Sequence, residues 1–426
     1  MPFVPLKLED LRVGLYIKLE CSWWNHPFAK NKFKVSSQQE IATIRGIRKA
    51  QLFYDPDLSD PEATPKNQVG QSSQATEKQE QVQPTACTPE IPSPKPPEEL
   101  REEQIQACKQ HSEEIQSADY LYHQLFAQTK IGMKRIGDGH VGGLKSVDQV
   151  TQSLKEVVAQ KSSSTALIDV LGSTDTEDAF IAHSLNISIL SMILGREFGL
   201  GEEDMHALGM GALLHDFGKQ NWPSGLRSKR TGLTKMEHHE WLRHPEYGKE
   251  AMERFTGFPP SSVEVIYQHH ERLNGTGFPL GLKGEEISLL AKIVMVVDEY
   301  YHLCHQADLS KSLTPSEALS HLYNNGQVAE KDRLSEEVII ALVRVLGVYP
   351  PGSVVKLSDG SLGLVTSVNF EDRTKPQVMV CAPEQPKEEA MVVDLAQEVI
   401  TIVQSLHSRD LPKEIQEYFF ATRLAS

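Results

Sequence analysis

Five histidines and two aspartates carry the chemistry in this sequence: His183, His215, Asp216, His244, His269, His270 and Asp298. Five of these seven fall between Leu213 and Pro279, as His215-Asp216, His244-Pro245 and His269-His270-Glu271. His215-Asp216 follows the apolar run Ala207-Leu208, Met210 and Ala212-Leu213-Leu214, which buries a helix. A carboxylate on a buried helix is costly unless it is paired or bound to a cation. Adjacent helical positions point about 100° apart, so a His and an Asp can approach one cation from two directions. A carboxylate also has two oxygens, so Asp216 can bridge two cations where an imidazole cannot. Asp298 closes the apolar run Ile293-Val294-Met295-Val296-Val297 and needs a partner for the same reason. Mixed His and Asp ligands suit Fe, Mn, Co, Ni or Zn better than Ca or Mg.

These residues need helices to gather them, and the sequence supplies them. Apolar spacing of three to four predicts helices over 179–197, 204–219, 236–255, 262–271, 289–304 and 316–324. Thr234-Lys235-Met236-Glu237 reads as a capping box, and Thr314-Pro315 as a helix start. Upstream, 98–130 and 146–160 read as helices, with Gly132, Gly137, Gly139, Gly142 and Gly143 between them. Those glycines match no phosphate-binding loop. Residues 1–58 read as a small α+β module with strands at 11–19 and 51–54 and a helix at 37–50. Residues 59–97 are rich in Pro, Gln, Glu, Ser and Thr and read as a disordered linker. Three short strands fall within 350–382, with a hairpin turn at Asp359-Gly360. A further strand at 399–403 and a short helix follow. The expected organisation is therefore a mainly α protein. It has an N-terminal α+β domain (1–58), a linker (59–97), connecting helices (98–163), a catalytic helical domain (164–346) and a C-terminal β extension with tail (347–426).

Composition narrows the class. The chain has 426 residues, a net charge of −15 and 39% apolar residues. That charge argues against sequence-independent binding to a nucleic-acid polymer. The five cysteines, Cys21, Cys87, Cys108, Cys304 and Cys381, form no CxxC pair, so a reducing, cytoplasmic setting is expected. No signal pattern and no apolar run long enough for membrane insertion are expected.

His183…His215-Asp216…Asp298 resembles the HD phosphohydrolase superfamily. His244, His269-His270-Glu271 and the loop Asn274-Gly275-Thr276-Gly277-Phe278-Pro279 resemble its HD-GYP branch, over residues 164–325. The branch's usual loop, Asp-Gly-x-Gly-Tyr-Pro, is varied here by Asn274 and Phe278. Cys21-Ser22-Trp23…His26-Pro27-Phe28 is similar to the N-terminal domain often fused ahead of HD-GYP domains, and 350–382 to a common C-terminal extension. The resemblance implies an HD-type helical bundle that hydrolyses cyclic di-GMP to linear pGpG or GMP with two divalent metal ions, Fe or Mn foremost. His183, His215, Asp216 and Asp298 would hold one ion, and His244, His269, His270 and bridging Asp216 the other. Asp216 and Lys219 would be catalytic. Lys219, Arg272, Gly275, Gly277 and Lys311 would lie at the substrate. The third-metal glutamate of some members falls on Ala179 here, with Glu177 nearby, so two ions are expected. The family's phosphate-binding arginine falls on Ala307. That departure leaves room for another cyclic dinucleotide or nucleotide phosphoester, or for a catalytically weak signalling module. A homodimer and protein partners through residues 1–58 are further expectations.

Overall fold

The computed structural model describes residues 4–20, 32–35, 41, 44–45, 51–56, 58–60, 97–171, 178–222, 232–306, 308–328, 333–369, 372–382 and 390–424. The Cys21 to Phe28 motif, most of the 59–97 segment, Glu177 and Ala307 lie outside the described residues. The chain divides into two compact units, Met1–Glu102 and Glu103–Ser426.

The first unit holds an antiparallel sheet of β1 (Val4–Leu6), β2 (Tyr16–Glu20), β3 (Lys32–Lys34) and β4 (Gln51–Asp55), in the order β1-β4-β2-β3. Ile17 sits opposite Tyr54 on one side and Phe33 on the other. Strand alternation sends Leu15 and Ile17 inward, where they pack with Val35, Ile41, Ile44, Leu52 and Tyr54. The predicted strand at 11–19 begins only at Tyr16, because the chain turns at Val13-Gly14, where Gly14 takes φ 96°.

The second unit is mainly helical: α1 (Pro97–Gly137), α2 (Gly142–Ala159), α3 (Lys161–Leu171), α4 (Ala179–Glu197), α5 (Glu202–Leu214), α6 (Lys235–Leu242), α7 (His244–Glu253), α8 (Pro260–Gln268), α9 (Leu289–Cys304), α10 (Pro315–Val328) and α11 (Glu336–Leu346). α1 opens in the last residues of the first unit and runs on past Gly132 to Gly137. Gly132 therefore lies inside the helix, where its bare Cα admits Val147 of α2. α4 is apolar on every side and is the central helix of the bundle. By length and hydropathy it could cross a membrane, yet 78% of its apolar window is buried within the fold.

The stretch predicted as one helix over 236–255 is two. Pro245 has no N–H to give the Trp241 carbonyl, and the chain turns at Arg243 before α7 begins. The capping box at Thr234 and Glu237 forms with both of its bonds. Ser288 caps α9 through its hydroxyl.

The C-terminal region is a five-stranded antiparallel sheet in the order β8-β7-β6-β5-β9. Its strands are β5 (Val354–Leu357), β6 (Leu362–Ser367), β7 (Gln377–Val380), β8 (Val392–Asp394) and β9 (Ile402–Leu406). The hairpin at Asp359-Gly360 forms as expected, with Gly360 at φ 92°. The last strand sits three residues beyond the predicted one, because register with β5 pairs Leu406 with Val354 and leaves Val399 exposed. Helix α12 (Lys413–Leu424) covers one sheet face with Phe419.

Candidate metal centre

Three of the candidate ligands sit where helices end. His215 and His269 are the C-caps of α5 and α8, and His244 follows the C-cap of α6. The last four carbonyls of a helix have no intrahelical partner. Here the imidazoles supply one. Nδ1 of His215 lies 2.7 Å from the Ala212 carbonyl, Nδ1 of His244 2.7 Å from Trp241, and Nδ1 of His269 2.8 Å from Ile266. A carbonyl can only accept, so each Nδ1 carries the proton and each neutral ring leaves a lone pair at Nε2. The Trp241 carbonyl that takes His244 is the one Pro245 cannot reach. The predicted helix over 204–219 stops at Leu214 for the same purpose, and Lys219 lies on a 3₁₀ turn, Phe217–Asn221.

The Nε2 atoms converge on two carboxylates. Asp216 turns Oδ2 towards His183 and His215, both at 3.5 Å, and Oδ1 towards His244 at 3.3 Å and His269 at 3.6 Å. Asp298 Oδ1 stands 3.3 Å from His183 and 4.0 Å from His215. Two groups result, His183–His215–Asp298 and Asp216–His244–His269–His270, and within each the ligating atoms lie within 4.8 Å of one another. All seven of the residues singled out in the sequence are brought together.

The donor set fits a cation in each group. His244 Nε2 and His269 Nε2 face each other at 3.2 Å, both as lone pairs, with the Asp216 carboxylate beside them. His183 and His215 meet at the same distance. Asp216 Oδ1 and His270 Nε2 are buried with no hydrogen-bond partner. Bare acceptors packed against bare acceptors repel unless positive charge lies between them. Burial pushes His215 down to about 3 and His244 to about 4, so both stay neutral and ligand-competent near pH 7. Burial pushes the Asp216 carboxyl up, but the Lys219 ammonium and the surrounding imidazoles outweigh it and hold Asp216 well below the usual carboxylate range. Asp298 is held low against burial by His302 and His183, and its carboxylate in turn raises the half-exposed His302 to about 9.

Lys219 pairs with Asp216 Oδ2 and lies over the Trp222 ring. Arg272 donates to the Glu271 carbonyl and to Glu299 Oε2 at 3.1 Å. Lys311 is exposed and pairs with Asp308 at 3.5 Å. Gly275 takes φ 78°, and a Cβ there would meet the Lys283 side chain. A Cβ at Gly277 would strike the main chain of Glu271 and Arg272. Phe278 stacks on His270 at 4.7 Å, and Trp241 adjoins both rings.

Two positioning residues carry no role in the sequence reading. Glu271 is fully buried, and its carboxylate accepts from the main-chain N–H of Leu280, Gly281 and Leu282 at 2.7, 3.2 and 2.9 Å. It thereby pins the loop that carries Phe278. Gly218 lets the 3₁₀ turn press onto α7, for a Cβ there would fall 1.9 Å from the His244 carbonyl. Its place between Asp216 and Lys219 was the available signal.

A family profile described as HD domain matches residues 167–333, enclosing every ligand candidate. Residues 167–333 thus carry an HD domain. A second profile, for a domain of unknown function (DUF3391), matches residues 4–141. A cyclic di-GMP phosphodiesterase of Pseudomonas aeruginosa is 27% identical over 383 residues, 88% of this chain and 84% of that one. A cyclic di-GMP phosphodiesterase response regulator of Xanthomonas campestris is 33% identical over 160 residues, 37% of this chain and 41% of that one. A 3'3'-cGAMP-specific phosphodiesterase of Vibrio cholerae is 26% identical over 168 residues, 39% of this chain and 35% of that one. The chain thus spans less than half the length of the last two. A solved HDG"Y"P protein of Bdellovibrio bacteriovorus aligns at a TM-score of 0.46 and 15% identity, covering 81% of this chain and 99% of that one.

Proposed function

We propose that this protein is a metal-dependent phosphodiesterase of HD-GYP type that hydrolyses cyclic di-GMP to pGpG or GMP. The observation that carries the reading is Asp216, which turns one oxygen to each of two imidazole groups and so suits a bridge between two ions. In this reading His183, His215 and Asp298 complete one site, and His244, His269 and His270 the other. The donor set suits Fe or Mn, with Zn, Co or Ni as alternatives. When bound, such a pair supplies an activated water and neutralises the phosphoryl oxygens.

The remaining steps belong to the chain. The helix-end carbonyls fix three imidazoles by tautomer and orientation. Lys219, beside Asp216, places a positive charge within reach of a phosphoryl oxygen at the bridge. Glu271 holds the Asn274–Pro279 loop closed on His270, with Gly275 and Gly277 permitting its close main-chain approach and Arg272 bracing its base against Glu299. Lys311, four residues after Ala307 in the sequence, would supply a further cation to the substrate. We read residues 1–58, 59–97, 98–163, 164–346 and 347–426 as the functional divisions of a cytoplasmic chain. The first of these would take protein partners, and the chain would form a homodimer.

A second substrate has a specific observation behind it. Relatives named for 3'3'-cGAMP are 26% identical over 168 residues and 29% over 160, and Ala307 stands where the family has a bidentate phosphate clamp. The test is to incubate reduced Mn- or Fe-loaded protein with cyclic di-GMP, 3'3'-cGAMP and a simple phosphodiester, beside Asp216→Ala. Turnover of cyclic di-GMP that the variant lacks is expected. Metal-loaded protein that cleaves nothing would leave a signalling module without catalysis, and cleavage of cGAMP alone would reassign the substrate.

A further inference from the structure

His215, His244 and His269 are each fixed at Nδ1 by a main-chain carbonyl at a helix end. His183 makes no such bond among the described residues. Asp298 lies inside α9, where the main-chain N–H groups are engaged within the helix, so its carboxylate takes its orientation from side chains. The side chain placed to do this is one turn further on. His302 Nδ1 lies 2.8 Å from the Asp298 carbonyl and 3.0 Å from Asp298 Oδ1. A carbonyl can only accept, so Nδ1 carries a proton, in the neutral ring as in the cation. One N–H therefore faces the main-chain oxygen and a carboxylate oxygen of the same residue. Oδ1 is also the oxygen that stands 3.3 Å from His183 Nε2 and 4.0 Å from His215 Nε2. A carboxylate oxygen has two lone pairs, so Oδ1 can face the N–H with one and the imidazoles with the other. The His302 ring also packs edge-on against His183, with centroids 5.3 Å apart at 68°. His302 thus touches both members of the His183–His215–Asp298 group that no helix-end carbonyl fixes. It lies outside both sets of converging ligand atoms.

We propose that His302 is a positioning residue for the His183–His215–Asp298 group: its Nδ1–H holds the Asp298 carboxylate with Oδ1 turned to the imidazoles. This rests on the metal reading above. A partner that orients a ligand in this way raises metal affinity without touching the ion. The Asp216–His244–His269–His270 group makes no contact with His302 among the described residues, so its ion is independent of it.

The experiment is a Mn²⁺ titration of the full chain under reducing conditions, with bound metal counted by elemental analysis. Wild type is compared with His302→Ala, His302→Leu, His302→Asn and, as control, His140→Ala, which removes an exposed ring between α1 and α2. Leucine fills the space of the ring without an N–H, whereas the asparagine amide carries one near the place of Nδ1. In His302→Ala and His302→Leu one of two ions is expected to weaken roughly tenfold while the other is unchanged. His302→Asn should recover most of that loss, and His140→Ala should match wild type. In an Asp298→Ala background, His302→Ala should weaken neither ion further. Wild-type affinities in His302→Ala, equal weakening of both ions, a further loss in the Asp298→Ala background, or His302→Asn as weak as His302→Leu would each overturn the proposal while leaving the metal reading intact. Should one apolar variant not fold, the other decides by the same criterion. Wild type that binds no Mn²⁺ overturns both.

Discussion

Replacing Glu271 by Gln tests what holds the loop against the centre. The carboxylate is fully buried and accepts three main-chain N–H groups with two oxygens. A glutamine keeps one acceptor oxygen. If that oxygen keeps Leu280 and Gly281, the new amide NH₂ faces the N–H of Leu282, donor against donor. One hydrogen bond to a charged acceptor is lost and one donor is left unmade, for a cost of about 2–3 kcal/mol. In a region of this size about 1 kcal/mol moves Tm by roughly 2–4 °C, so a fall of about 4–12 °C is expected. Calorimetry gives the Tm, and hydrogen exchange of the Leu280, Gly281 and Leu282 amides reports the loop directly. Those three amides should lose protection while the helix interiors of α4 and α5 keep theirs. An unchanged Tm with protection intact at all three would refute the assignment of Glu271 as the loop's clamp.

Other consequences are as direct. Gly218→Ala places a methyl group on the His244 carbonyl, which no side-chain motion relieves, so soluble yield and bound metal should both collapse; near-wild-type metal content in this variant would contradict the packing. The metal-free protein should lose stability on acidification. His215 and His244 titrate near 6.5 when unfolded but at about 3 and 4 in the fold. Below 6.5 the unfolded state therefore binds more protons, and stability falls by up to about 1.4 kcal/mol per pH unit for each ring. His302, raised to about 9, acts with the opposite sign: its contribution is full below 6.5 and is lost as pH rises through 9. Denaturant midpoints at pH 5 and 7 measure the acid limb, and equal midpoints would show that these imidazoles are not held neutral.

The candidate aspartates, Asp216 and Asp298, were legible because each closes an apolar run, and burial of a carboxylate without a partner is too costly to be incidental. The means of holding the ligands was not legible. The sequence pattern continues the helix through His215 to Lys219, since Phe217 keeps the apolar spacing; only the fold shows the helix stopping so that the Ala212 carbonyl can take the imidazole. Pro245 did signal a break, but the use made of the Trp241 carbonyl depends on where His244 then points. Glu271 bonds to N–H groups nine to eleven residues away, and Tyr122 to Asn186 across 64 residues. No local pattern encodes either contact. The last β-strand was misplaced by three residues because 399–403 has the right composition, while pairing with β5 selects Ile402–Leu406.

The central claim is that two cations share Asp216. It is tested most directly by diffraction from crystals of the Mn-loaded protein, collected to reveal anomalous scattering from the metal. Two peaks are predicted, one among His183, His215 and Asp298, the other among His244, His269 and His270, with Asp216 between them. A single peak, or peaks that leave Asp216 paired with Lys219 and touching neither ion, would contradict it.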